Sequence, residues 1–403
     1  MTRFQGVPLW APRALSLISL ALSPQVAHAD SNFVPTTIRE AIGVERGSTA
    51  LIGPVEKNTY FITFDTFGSE DIGPSILSTA AALPDLFVQG DQFDAVAVLG
   101  GPFETGRQEL LAGGLGYRIK LPNSGPTLFV NGDYADIRLG APANRAIDAT
   151  GQNWTITVGA RQDWVVSQGS KLTGELSFTA RQWKGQAFDR PVLDEDLRVL
   201  SARFSYAGRT PLGIRQRFGV ILHKGRTGLG SSDTHNPMAS LPGASSDFLT
   251  VSFSADLAVP LTEQVVATIG AIGQYSDAPL PFSQRCGYGT NEFSRAFDRA
   301  FVNGDECLGG RGEMAYNLPA ADLSGGLLKF LQLFAAADAG WLWNIRSDVA
   351  PASQDTWASA YLGVRAATSN FIAEASLSRT VDEPDGIVEQ KGTRLWVRSA
   401  MRF

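Results

Sequence analysis

Apolar and polar residues alternate with period two through most of this chain. Leu249, Val251, Phe253, Ala255 and Leu257 fall on one side of such a segment, and Thr250, Ser252, Ser254 and Asp256 on the other. Leu172, Gly174, Leu176, Phe178 and Ala180 oppose Lys171, Thr173, Glu175, Ser177, Thr179 and Arg181 in the same way. Trp154, Ile156, Val158 and Ala160 repeat the pattern, as do Val265, Ala267, Ile269 and Ala271. A period of two is that of a strand whose faces meet different surroundings. Segments of this kind lie near 57–66, 72–82, 92–101, 108–121, 126–138, 152–164, 170–184, 196–208, 213–224, 246–260, 264–277, 309–318, 329–344, 356–368, 369–380 and 393–403, sixteen in all. Most have at least the roughly 9 to 11 residues that a tilted membrane strand needs. The expected fold is all-β, a 16-stranded antiparallel transmembrane β-barrel. An even strand number puts both chain ends on the periplasmic side. A secreted soluble sandwich or solenoid would also alternate, because one face of each strand is buried; no repeat at a fixed period of about 20 to 50 residues supports the solenoid.

The ends of the chain agree with export. Residues 1–29 have Arg3 and Arg13 as their only charges, an apolar run from Ala14 to Leu22 and a small-x-small site at Ala27-His-Ala29, which reads as a signal peptide. The apolar run is about half the roughly 20 residues of a spanning helix. Residues 30–56 read as a periplasmic segment, either a linker or a short plug helix over Thr36–Ile42, where Thr37 and Glu40 have capping-box spacing. The barrel is expected over 57–403, with a long lumen loop at 278–308. The last strand ends on Phe403, with Met401, Val397 and Leu395 at alternating positions. This resembles the terminal signal by which outer-membrane barrels are recognised, and implies the barrel-assembly machinery and outer-membrane lipid as partners.

Without the leader, 32 basic residues stand against 40 acidic ones, a formal charge of −8. An acidic chain with no Lys/Arg run argues against nucleic acid as a partner. The only cysteines, Cys286 and Cys307, lie in the long loop, and in an oxidising compartment they are expected to form a disulfide, two separate thiols being the alternative. Catalytic chemistry is thinly represented. Beyond the leader the histidines are His223 and His235, with no metal-ligand spacing, nucleophile elbow or phosphate-binding loop, so no catalytic residue, metal or cofactor is expected. His235 with Ser231, Ser232 and Asp233 suggests a lipase-like site, but those residues also suit a flexible loop. Gly225–Gly230 reads as a turn, and Asp194-Glu-Asp196 and Asp382-Glu-Pro-Asp-Gly386 lack full calcium-ligand spacing.

The long loop carries Gln284-Arg-Cys-Gly-Tyr-Gly289, Phe293-Ser-Arg-Ala-Phe297, Asn303-Gly-Asp305 and Gly309-Gly-Arg-Gly-Glu-Met-Ala-Tyr-Asn-Leu318, and is followed by Ala336-Ala-Asp338-Ala-Gly340. This order resembles the loop and strand motifs of the two-partner secretion transporters, also called haemolysin secretion/activation proteins, of the POTRA-bearing outer-membrane superfamily. Asp65-Thr-Phe-Gly68 with Gly73, Gly90-Asp-Gln92, and Leu115-Gly-Tyr117 through Leu121-Pro122 resemble further barrel motifs, so the similarity covers 57–403. Ala296, Phe297 and Ala336 depart from the family's Gly, Tyr and Phe. The resemblance implies a loop lock in which Arg295 folds into the lumen and pairs with Asp338, with Phe297 and Gly340 as motif neighbours. A bidentate pair there would pin the loop to the wall; the bland alternative makes Arg295 one of several solvated loop arginines beside Arg285, Arg299 and Arg311. The implied function is a pore exporting an exoprotein client. Because Asp30–Glu56 leave no room for POTRA domains of roughly 75 residues each, a separate periplasmic recognition protein is a further expected partner. The alternatives are a porin-like small-solute channel or receptor barrel on the same scaffold, and, more remotely, a His-dependent enzyme.

Overall fold

The computed structural model describes residues 52, 54–69, 71–102, 107–233, 236–288, 293–297, 302–347, 350–382 and 392–403. The leader, the Thr36–Ile42 segment, His235 and residues 383–390 lie outside the described residues. The strands are β1 (Thr59–Asp65), β2 (Ser75–Pro84), β3 (Asp91–Gly101), β4 (Leu110–Lys120), β5 (Thr127–Arg138), β6 (Thr150–Ser167), β7 (Ser170–Ala187), β8 (Arg190–Arg209), β9 (Arg215–Gly225), β10 (Leu249–Pro260), β11 (Val265–Ser276), β12 (Cys286–Tyr288), β13 (Val302–Gly304), β14 (Glu306–Asn317), β15 (Phe330–Asn344), β16 (Ser353–Ala367), β17 (Phe371–Asp382) and β18 (Thr393–Arg402). Sixteen of them close one antiparallel barrel, and β12 and β13 form a separate hairpin. The expected barrel and its strand number are what the chain forms.

Alternation sets which face looks where. On β10, Thr250 is buried while Phe253 is exposed, and on β7, Thr173, Glu175 and Ser177 are buried while Leu172 and Leu176 are exposed. On these strands the polar set faces the lumen and the apolar set faces outward, the reverse of a soluble sandwich and the arrangement a lipid-embedded barrel requires. On β1 to β5 the inward face also carries a buried apolar cluster that includes Phe61, Ile76, Val96, Val98, Leu110 and Ile137. Three strands are longer than their apolar bands require. β6, β7 and β8 have 18, 18 and 20 residues, and polar Gln152, Gln182 and Lys184 continue their outer faces beyond Ile156 and Val158. Backbone pairing carries on there into water, which is why the β7–β8 connection is only Phe188 and Asp189.

The barrel closes where β1 meets β18, from Phe61 opposite Arg402 to Asp65 opposite Arg398. The Phe403 main chain extends this seam, its N–H donating to the Tyr60 carbonyl at 2.9 Å. Gly90-Asp-Gln92 forms a capped turn: the Asp91 carboxylate accepts the N–H groups of Leu86, Phe87 and Val88 at 2.8, 3.1 and 3.0 Å, and the Tyr117 hydroxyl at 2.9 Å. Just before β1, Ile52 is fully buried against the lumen side, where its carbonyl accepts Arg118 Nη2 at 2.5 Å and the Val55 N–H donates to Gln92 Oε1 at 3.1 Å.

Candidate functional site

The connection between β11 and β14, residues 277–305, is the long loop. Strands β12 and β13 pair within it, Cys286 opposite Gly304, and a Cys286–Cys307 disulfide with Cα atoms 6.3 Å apart ties the hairpin to the start of β14. β14 starts at Glu306, a little before the expected 309, because Cys307 and Leu308 already pair with β11 and β15. Asp305 gathers the loop base: its carboxylate accepts Leu280 N–H at 2.9 Å and Ile345 N–H at 2.8 Å, and lies 3.4 Å from Arg285 Nε. Burial draws the Arg285 guanidinium below its ordinary pKa and the Asp305 charge opposes that shift. On the β7–β8 side, the Phe282 N–H donates to Ser240 Oγ at 2.9 Å, and Ser240 donates through N–H and hydroxyl to Glu195 at 2.9 and 2.7 Å. The loop is thus held at both shoulders before it reaches the lumen.

Its tip, Ser294 to Phe297, is a tight turn closed by Phe297 N–H donating to the Ser294 carbonyl at 3.1 Å. Ser294 has φ 61°, in the left-handed region, and this aims its N–H at Asp338 Oδ2, 2.8 Å away. Arg295 is 2% exposed and its Nη1 donates to Glu374 Oε1 on β17. The same nitrogen lies 3.4 Å from Ser376 Oγ, and the Arg295 carbonyl accepts the Ser378 hydroxyl at 3.1 Å. The guanidinium stands 4.6 Å from the Tyr361 ring centre and 5.6 Å from that of Phe334. Glu374 also accepts Arg365 Nε at 2.7 Å and Arg398 Nη2 at 3.0 Å through Oε2, while Arg365 reaches on to Glu313. Three guanidinium groups, of Arg295, Arg365 and Arg398, therefore sit among three carboxylates, of Glu313, Asp338 and Glu374. Near balance of charge with several hydrogen bonds per group is what makes buried ions tolerable.

Arg295 and Asp338 come to the same wall contact, but not as a pair. Asp338 holds the loop backbone at Ser294 and accepts the Ser359 hydroxyl, whereas the Arg295 side chain reaches past it to Glu374. The physical reason is reach: a main-chain N–H already occupies the nearer carboxylate, and the long arginine extends two strands further round the wall. Phe297 is fully buried with Phe293, Ala296, Leu342 and Trp357. Gly340 lies opposite Trp357, and a Cβ there would stand 2.6 Å from the Leu308 carbonyl oxygen and 2.7 Å from the indole, so the position admits the ring only without a side chain. A register shift between β16 and β17 lies beside Ser359. Glu374, Tyr361, Arg365 and Arg398 are not among the residues the motifs point to; Glu374 shares its face with Ser376 and Ser378, a pattern that other strands repeat.

The other candidate chemistry resolves into structure. The Ser232 hydroxyl accepts the Asp196 N–H at 2.8 Å and the Ser231 hydroxyl donates to the Asp196 carbonyl at 3.0 Å, so both serines fasten the loop to β8. Glu195 is taken by Ser240 and Asp196 by Gln182. No group of three or more potential metal ligands occurs among the described residues.

A closed barrel with an apolar outside, polar groups along much of its inner face and a long loop anchored to the inner wall has the architecture of an outer-membrane barrel. Residues 58–366 match the family described as haemolysin secretion/activation protein ShlB/FhaC/HecB, and the chain belongs to that family. Among solved structures it resembles CdiB from Escherichia coli, with TM-score 0.73 and 18% identity over 87% of this chain and 64% of that one. CdiB from Acinetobacter baumannii gives TM-score 0.67 and 16% identity over 87% and 61%. BamA from Haemophilus ducreyi lacking POTRA domains 1–3 gives 0.55 and 12% over 86% and 70%. The chain thus spans somewhat less than two thirds of either CdiB chain. No curated protein sequence matches it.

Proposed function

We propose that this barrel is a protein-translocating pore of a Gram-negative outer membrane, moving an unfolded exoprotein outward without a nucleotide. The observation that carries the reading is the anchoring of an outer loop inside the lumen by Arg295 and Glu374, with Asp338 holding the Ser294 backbone. At rest the loop occupies the passage and it leaves the wall when a client enters. Family membership supports an exoprotein partner. The polar inner face of β6 to β10 supports passage of a hydrated chain, because extended backbone needs hydrogen-bond partners all along its length. Residues 1–29 serve as the export leader and 30–56 as the periplasmic approach to the barrel. Phe403 presents the end of β18 to the barrel-assembly machinery, and client recognition falls to a separate periplasmic protein. The reaction is transport, with no catalytic step assigned to any side chain.

The test compares the extracellular and surface proteome of a strain lacking the gene with strains complemented by wild type and by Arg295→Ala. Loss of one large exoprotein, restored only by wild type, is the expected result. An unchanged proteome together with altered uptake of small solutes would replace this reading with the passive channel.

A further inference from the structure

The short-turn mouth of the lumen has an unusual wall. Arg209 at the end of β8 lies directly opposite Arg215 at the start of β9, and Arg217 is two residues further along the same face, opposite Ala207. Like charges directly opposite on a sheet repel. Register places all three on the lumen side, in line with buried Ser201 and Arg203, whereas Leu200, Phe204, Phe218 and Val220 are exposed on the outer side. None of the three has a carboxylate within 4.0 Å among the described residues, and all are exposed. Asp256, the β10 neighbour of Arg217, is directed to Arg311 at 3.2 Å. Arg161 and Lys171 lie at the same end of β6 and β7, where Asp163 stands 3.1 and 3.7 Å from them and Glu175 lies opposite Arg161, so these two are matched by carboxylates and the excess falls on β8 and β9. In a chain whose formal charge is −6, this is a local excess of positive charge at the end that faces the periplasm.

We propose that this row is a docking surface for an acidic stretch of an extended polypeptide, a charge-selective threshold for the entering client. The inference rests on the translocation reading above. Arg209 and Arg215 stand one strand spacing apart, about 5 Å, and Arg217 lies two residues, about 7 Å, further along β9, so two or three carboxylates of one extended segment meet these cations at once, whereas a single small anion meets one or two. Guanidinium forks suit carboxylates in either orientation, which lets the segment slide from one to the next. The row lies across the ring from the β14–β18 wall where the loop tip is anchored. Lipid headgroups are excluded as the ligand by the lumen-side register.

The experiment uses the full barrel in detergent and a fluorescent twelve-residue Glu-rich peptide, with a Lys-rich peptide of equal length as control, read by anisotropy. The wild type is expected to bind the Glu-rich peptide about tenfold more tightly than Arg209→Gln/Arg215→Gln/Arg217→Gln, with binding weakening as salt is raised. The Lys-substituted triple variant keeps most of the affinity. If the triple Gln variant fails to insert, the three single variants are read instead, each expected to lose about two- to threefold. Equal binding by wild type and variants overturns the proposal. So does full displacement of the peptide by free glutamate at the same carboxylate concentration, which would make the row a small-anion site. The binding result is independent of the secretion assay, so an unchanged exoproteome would refute the translocation reading and still leave the docking surface measured.

Discussion

Arg295 should be energetically coupled to Glu374 more strongly than to Asp338, contrary to what the motif alone implies. Arg295 and Glu374 are both almost fully buried and directly bonded, and breaking such a pair costs about 3 to 5 kcal/mol. Arg295→Ala leaves Glu374 with Arg365 at 2.7 Å and Arg398 at 3.0 Å, so its cost falls at the lower end, about 3 kcal/mol including the lost contacts to Tyr361 and Phe334. Glu374→Ala takes away the carboxylate that Arg295, Arg365 and Arg398 share; Arg365 keeps Glu313, but the deeply buried Arg295 loses its ion pair, so the cost falls at the upper end. A loss of about 3 kcal/mol shifts the equilibrium between wall-bound and released loop by roughly a hundredfold. Open probability in planar bilayers, alongside protease susceptibility of the loop, reads that shift. In double-mutant cycles the Arg295–Glu374 coupling should be about 2 kcal/mol or more, against less than about 1 kcal/mol for Arg295–Asp338. A larger coupling at Asp338, or Glu374→Ala leaving the loop as closed as in wild type, would refute the argument.

Four further outcomes are expected. Gly340→Ala forces Trp357 off the wall and lowers the heat-modification midpoint by an amount matching about 1 to 3 kcal/mol. At Ser294, with φ 61°, substitution by Val should loosen the loop by about 1 kcal/mol more than substitution by Gly, read by the same protease assay. Paired Cys286→Ser and Cys307→Ser remove a cross-link with a sequence separation of 21, worth about 3 kcal/mol of chain entropy; the loop should be cut faster while the barrel remains heat-modifiable. Phe403→Ala should reduce the fraction of newly made chain that reaches the folded, heat-modifiable form, without changing the midpoint of what does fold.

The strands were legible because each needs only two faces of different polarity, a signal that survives in every segment from Thr59 to Arg402. The extra length of β6, β7 and β8 was not, since beyond the membrane Gln182 or Lys184 satisfies the outer face as well as a loop would. Arg295 stood out by its motif, and Asp338 by its place in an apolar segment. Glu374 did not, because one acidic residue on the polar face of β17 has the same pattern as Glu175 on β7 or Glu313 on β14. What distinguishes it is the length of an arginine side chain arriving from a loop 79 positions away, a distance in space that no local period encodes. The unmatched arginines of β8 and β9 were likewise invisible until register put Arg209 opposite Arg215.

The anchors on β17 and β18 also set an order of events during biogenesis. Glu374 and Arg398 belong to the last strands of the chain, and Ser378, which holds the Arg295 carbonyl, accepts Trp396 Nε1 from β18 at 2.8 Å. While the C-terminal thirty or so residues are still unpaired, the loop has nowhere to dock its arginine. The arginine anchorage of the loop is therefore completed by the same step that completes the wall. A barrel without its last strands would hold the loop through Asp338 and the Trp357 contacts alone, and proofreading that senses an undocked Arg295 would be sensing missing strands.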